Sequence, residues 1–172
     1  MSLNLPKTTD KIYEGKAKII YKTEKSDVLY MEFKDSLTAF NALKKGEFAG
    51  KGTLNCQIST LIFKFLNEKK INHHWLETLR DKFMLVQKTE IIPLEVVVRN
   101  YIAGSFAKKI GKDEGEKLNK PLVEFYYKSD ALNDPFVSDD QILALGWAKT
   151  ETLEHLKMQS LKINEILVQL FE

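Results

Sequence analysis

Residues 91–105 read Ile-Ile-Pro-Leu-Glu-Val-Val-Val-Arg-Asn-Tyr-Ile-Ala-Gly-Ser, and the reading of that run decides the fold. Pro93 stops whatever precedes it, because its ring fixes φ and removes an N–H donor. Val96, Val97 and Val98 are β-branched and predict a strand covered on both faces. Arg99 interrupts the run with a charge that needs a partner. Its planar fork suits a carboxylate or a phosphate. Ala103, Gly104 and Ser105 let the backbone turn into a helical stretch at 106–110. Such a turn offers backbone N–H groups and a hydroxyl to an anion. The residues alone leave two readings open: a core strand with an ion pair, Glu95 with Arg99, and an N-cap, or an anion-binding turn.

Outward from this run, residues 11–47 read as a strand-rich meander. Residues 18–22 and 28–33 are β-branched or aromatic, and residues 24–27 form a polar turn between them. Gly46, Gly50 and Gly52 predict a flexible loop. Residues 53–70 predict a helix, with Leu54, Ile58, Leu61, Ile62 and Phe65 as its inward stripe. Residues 83–92 and 94–102 predict two strands split by Pro93, and 121–128 another. Ser138 starts a short helix ending near Gly146. Thr150 then caps a long helix whose stripe is Leu153, Leu156, Ile163, Leu167 and Leu170. Runs of strands with helices set apart from them make the fold class α+β. The predicted division is an N-terminal antiparallel-sheet domain at 1–88 and a second domain at 89–172.

Composition narrows the function. The 172 residues are 44% hydrophobic and 29% charged, as in a soluble globular protein. The 26 basic and 24 acidic residues nearly balance, giving a net charge of +2, which argues against a nucleic-acid binder. The single cysteine, Cys56, excludes an internal disulfide and fits a reducing cytoplasm. His73 and His74 are adjacent and point apart, and His155 is distant, so a histidine metal site is not expected. No signal peptide and no membrane span are read from the sequence.

Two further segments could carry chemistry. Gly15-Lys16-Ala17-Lys18 combines a glycine that lets backbone approach a phosphate with lysines that neutralise it. By spacing alone it is equally a solvated turn. Asp130 and Asp134 lie in a proline-ended turn that reads as an Asx-turn or as a pair of site carboxylates.

These motifs together resemble the SAICAR synthetase family. The 91–105 run is similar to the family pattern of aliphatics, Pro, Glu, aliphatics, Arg, then Gly-Ser. Residues 12–18 resemble its opening Tyr-x-Gly-Lys-x-Lys. Residues 32–41, 50–55 and 123–135 resemble further blocks, in the family's order, over about 11–172. The resemblance implies an ATP-grasp-like nucleotide cleft between two domains. It implies ATP-dependent ligation of L-aspartate to the carboxylate of a carboxyaminoimidazole ribonucleotide, giving SAICAR, ADP and phosphate in purine biosynthesis, with Mg²⁺, in a cytoplasmic homo-oligomer (a dimer).

By the same resemblance, Gly15, Lys16, Lys18, Lys88 and Lys128 bind ATP. Arg99, Ser105 and Asp134 are catalytic. Asn41, Lys51, Glu95, Arg99 and Ser105 hold substrate. Three departures stand out: Gln87 where the family has a lysine, Cys56 after Asn55 where asparagine is common, and Ala42 after Asn41 where glycine is usual. The family's magnesium carboxylates lie in segments that follow the long helix. The sequence ends at Glu172 before them, so a fragment or truncated product of a longer enzyme is expected, with its second domain incomplete.

Overall fold

The computed structural model describes residues 8–39 and 44–171. The chain divides into two compact units, residues 1–90 and 91–172.

The first unit is built on an antiparallel sheet of five strands. Its strands are β1 (Thr8–Glu14), β2 (Lys18–Thr23), β3 (Val28–Phe33), β6 (Trp75–Arg80) and β7 (Phe83–Gln87), in the order β1-β2-β3-β7-β6. A short hairpin, β4 (Ser36–Ala39) with β5 (Lys44–Glu47), stands apart from it. The alternation in Leu29, Met31 and Phe33 puts those side chains on one face. There they meet Met84 and Val86 of β7 and Cys56 of helix α1 (Lys51–Glu68). Full burial of a side chain such as Met84 contributes roughly 2 kcal/mol.

Helix α1 corrects the expected stripe. Leu54, Ile58 and Leu61 are exposed, while Gly52, Cys56 and Leu66 are buried. The reason is proximity. Gly52, Cys56, Thr60 and Phe63 share one face, and small residues let the helix lie close on the sheet. A Cβ on Gly52 would stand 2.5 Å from the Phe33 carbonyl oxygen. The three glycines do not form one flexible loop either: Gly46 is in β5, Gly50 is the α1 N-cap with φ 87°, and Gly52 is inside the helix. Strand β6 is an element that the sequence reading omitted.

The second unit carries a three-stranded antiparallel sheet in the order β10-β9-β8. Its strands are β8 (Leu94–Tyr101), β9 (Lys117–Tyr127) and β10 (Phe136–Val137), and its helices α2 (Gly104–Ile110), α3 (Asp139–Ala144) and α4 (Thr150–Phe171). Pro121 falls inside β9, where the register with β8 shifts between Arg99 and Tyr101. A bulge is where a strand tolerates proline. Leu94, Phe125, Val137, Ile142 and Leu153 form the core, joined by Val96, Val123 and Leu156. Tyr127 stacks on Trp147 at 4.1 Å.

Helix α3 begins as expected, with Ser138 and Gln141 forming a capping box. In α4 Thr150 is the first helical residue, and Lys149 accepts the first helical bond, from Leu153. Helix α4 packs on its own unit through Leu153 and Leu156, and Asn164 exchanges two amide hydrogen bonds with Asn100 of β8. The expectation of a strand buried on both faces does not hold for β8. Its pairing is antiparallel, so Leu94 and Val96 enter the core while Glu95, Val97 and Arg99 occupy the other face.

Candidate functional site

Two cationic sites emerge, one in each unit. In the first, residues 15–18 connect β1 to β2, and the turn is held from within. Gly15 N donates to Lys18 O at 2.9 Å, and Lys34 N donates to Ala17 O at 2.8 Å. Lys34 Nζ reaches Gly15 O at 3.3 Å, and Ser36 Oγ donates to Lys16 O at 3.1 Å. Four successive carbonyls are thus tied to the domain. The exposed face is then dominated by lysine side chains rather than by carbonyl dipoles, which favours an anion.

Lys16 and Lys18 are both exposed residues. Lys18 reaches over the Phe33 ring, 5.1 Å from its centroid, and partial removal of its ammonium from water lowers its pKa. Beside them Glu14 accepts from Lys11 and Lys34, each at 2.7 Å. Those two hydrogen bonds pull its pKa from 4.5 to about 2. Lys51, the first residue of α1, donates to Ser36 O at 2.7 Å and so sits in the same group. Lys88 does not. It follows β7, and its amide donates to Asp27 O at 2.7 Å. The β2–β3–β7 register puts it at the opposite end of the sheet from Lys18, roughly 20 Å away along the strands at about 3.3 Å per residue. Asn41 lies outside the described residues.

In the second unit, Arg99 is the centre. Its Nε donates to Glu124 Oε2 at 2.6 Å. Its terminal nitrogens reach Ala103 O at 3.4 Å, Tyr126 OH at 3.4 Å and Ser105 Oγ at 3.5 Å. Tyr126 OH also donates to Glu124 Oε2, at 3.0 Å. The guanidinium lies 5.8 Å from the Phe106 ring centroid. The bond to Glu124, followed by that to Tyr126, raises the arginine's pKa. The partner of Arg99 is therefore Glu124 and not Glu95. Glu95 shares the strand face but is exposed, opposite Tyr126.

Ser105 is exposed and belongs to the first turn of α2, whose N-cap, Ala103, has no side chain that can cap it. Gly104, with φ 58°, makes the turn, and its N–H donates to Glu114 Oε1 at 2.8 Å. Lys128 is exposed just after β9, its amide bonded to Pro93 O at 3.0 Å. Asp134 closes its own turn: Oδ1 accepts from Ser129 N at 2.8 Å, with φ 46° at Asp134 and 57° at Asn133. The bond reaches back five residues, so it is not the Asx-turn expected from the sequence, which would engage the amide two residues on.

An open cavity of about 420 Å³ lies beside this sheet, lined by Val123, Glu124, Phe125, Phe136, Val137 and Ser138 together with Asp139 and Asp140. Asp139 is paired with Lys157. Among the described residues no three His, Cys, Asp or Glu side chains come together to hold a metal ion.

Glu124 and Tyr126 are the site residues that the sequence reading missed. One signal was present. A lone glutamate between Val123 and Phe125, in a strand otherwise apolar and aromatic, is costly to bury without a cation, and the neighbouring strand holds one lone arginine.

The sequence and the fold are shared with known proteins. The family pattern described as SAICAR synthetase matches residues 11–172. A phosphoribosylaminoimidazole-succinocarboxamide synthase of Listeria welshimeri is 50% identical over 164 residues, which are 95% of this chain and 69% of that protein. The crystal structure of the synthase from Ehrlichia chaffeensis superposes with a TM-score of 0.91 at 46% identity, covering 94% of this chain and 68% of that one. A SAICAR synthetase solved in complex with ADP gives a TM-score of 0.85 at 43% identity, covering 90% and 66%. The chain thus spans about two thirds of the length of these relatives. With the family pattern matched over residues 11–172 and the fold shared with solved members, the chain belongs to the SAICAR synthetase family, ligases of purine biosynthesis.

Proposed function

We propose that the protein takes part in ATP-dependent ligation of L-aspartate to the carboxylate of a carboxyaminoimidazole ribonucleotide, giving SAICAR, ADP and phosphate. The observation that carries this reading is Arg99, anchored at Nε and turned with its terminal nitrogens toward Ser105. An arginine so held offers two N–H donors to the oxygens of a ribonucleotide phosphate, and Ser105 adds a hydroxyl. Glu95 lies on the same strand face and is read as part of the substrate group, as are Asn41 and Lys51.

Nucleotide is assigned to the first unit. The Gly15–Lys18 turn meets the phosphates of ATP through Lys16 and Lys18. Lys88, at the other end of the sheet, falls to the adenosine end. Lys128, in the second unit, is read as a further nucleotide contact, and the ADP complex of the related synthetase supports nucleotide binding. When bound with ATP, Mg²⁺ would neutralise phosphate charge; the described residues supply no cluster of three carboxylates for it.

The chemistry needs no enzyme nucleophile. A carboxylate oxygen of the imidazole attacks the γ-phosphorus, and ADP leaves. The aspartate amine then attacks the acyl carbon, the phosphate departs and the amine loses a proton. The lysines stabilise charge on the moving phosphoryl group, and Arg99 with Ser105 holds the acceptor in line. Asp134 is assigned to the catalytic group with Arg99 and Ser105. The second unit is read as the start of an ATP-grasp-like domain, and the protein as a cytoplasmic dimer acting on small molecules. No described helix is long and apolar enough to cross a membrane.

The test is ADP release with MgATP, the carboxylated ribonucleotide and L-aspartate together, and with each omitted in turn. Release that requires all three supports ligation; release with MgATP alone overturns it. Nucleotide binding without release favours a second reading, a nucleotide-binding module, for which the missing metal set among the described residues speaks.

A further inference from the structure

We propose that Glu124 and Tyr126 are positioning residues that set the direction of the Arg99 fork, an inference that rests on the ribonucleotide reading of Arg99.

Glu124 is only 5% exposed and Arg99 is 17% exposed, so the carboxylate lies beneath and the guanidinium above it. The two positions are 25 residues apart and reach one another across the β8–β9 pairing. Glu124 Oε2 takes Arg99 Nε at 2.6 Å and Tyr126 OH at 3.0 Å. One carboxylate oxygen therefore fixes both neighbours.

The bonds around the guanidinium are unequal. The Nε contact is short and charge-assisted. The contacts of the terminal nitrogens to Ala103, Tyr126 and Ser105 are 3.4–3.5 Å long, and hydrogen bonds weaken at that length. An arriving oxyanion can replace the long bonds while the short one stays. The arginine then keeps its rotamer on binding, and the entropy of ordering it has already been met in the unliganded fold.

Charge alone argues the opposite way. Glu124 is a negative group beside the cation that receives an anion, so its neutralisation should tighten anion binding by Coulomb attraction. Positioning predicts weakening instead. The sign of one measured change separates the two.

The experiment is calorimetric titration of the carboxylated ribonucleotide into the full chain and into Glu124→Gln, Tyr126→Phe and Arg99→Ala, with a thermal melt of each. Expected are an affinity loss of about tenfold for Glu124→Gln, about threefold for Tyr126→Phe with an unchanged melt, and loss of measurable binding for Arg99→Ala. Without ligand, the Arg99 Nε–H resonance should be protected from exchange in the unmodified chain and lose that protection in Glu124→Gln. Affinity unchanged or tightened in Glu124→Gln overturns the positioning role. If that variant does not fold, unchanged affinity in Tyr126→Phe overturns it equally. Binding insensitive to Arg99→Ala, or absent from the unmodified chain, overturns the ribonucleotide reading beneath it.

Discussion

The turn at residues 15–18 and the strand-to-helix turn at residues 99–105 are both cationic, yet they are built in different ways. At the first, lysines project from a turn whose carbonyls are tied inward, and the ion pairs around Glu14 are exposed. At the second, a single arginine is seated on a buried carboxylate. The first arrangement attracts charge without dictating its angle, because an ammonium is a point charge on a flexible stem. The second dictates an angle, because the guanidinium is planar and one of its edges is already taken. A phosphate chain that slides and a phosphate that must be held still call for these two solutions respectively.

The largest effect should come from breaking the buried pair. Glu124→Ala strands the Arg99 charge on a mostly buried face and should cost about 3 kcal/mol of stability, read as a fall in the urea midpoint of the second unit. The counterpart in the first unit, Lys34→Ala, removes a partly exposed pair and should lower the midpoint far less. Equal losses from the two substitutions would erase the contrast. Arg99→Lys comes next. It keeps the charge but not the fork, and ribonucleotide affinity should fall ~30-fold in calorimetry.

Lys16→Ala should weaken ATP binding only about fivefold, and that loss should shrink as salt rises, since exposed charges are screened over about 10 Å at 0.1 M salt. Arg99→Lys should be far less sensitive to salt. An equal salt dependence at both sites would show that burial does not distinguish them. The smallest effect is a pH signature. Glu14 has its pKa lowered from 4.5 to about 2, so its contribution is fully present above about 4.5 and is lost as pH falls through about 2. A carboxyl titration followed by NMR should give a midpoint near the lower value, returning toward the ordinary one in Lys11→Ala and Lys34→Ala. A midpoint near 4.5 in the unmodified chain would mean that these pairs do not persist in water.

The two regions were also unequally legible in the sequence. The lysine turn could be read locally, since Gly15, Lys16 and Lys18 are neighbours and the strands on both sides are plain in the pattern. Arg99 was legible as a charge that needed a partner, but the partner was not, because Glu124 is brought to it by strand pairing and not by spacing. Glu95 looked nearer in sequence and satisfied the same-face rule, yet the carboxylate across the pairing won. Helix α1 was misread for a similar reason. Leu54, Ile58 and Leu61 have the right period, but the sheet accepts the face with Gly52 and Cys56, which allows closer approach. Periodicity finds the helix and its two faces; closeness of packing decides which one turns inward. Lys88 illustrates the limit for sites: it was grouped with Lys16 by resemblance, and the register puts a strand's length between them.

The alternation of Glu124 and Phe125 along β9 has a consequence for how the chain folds. One points to Arg99 and the other into the core with Leu94, Ile142 and Leu153. A hairpin that closes one residue out of step would drive the carboxylate among those apolar side chains and turn the phenyl ring to water. The arginine–glutamate contact therefore acts as a proofreader of strand register: only the hairpin in which it forms can close over its core.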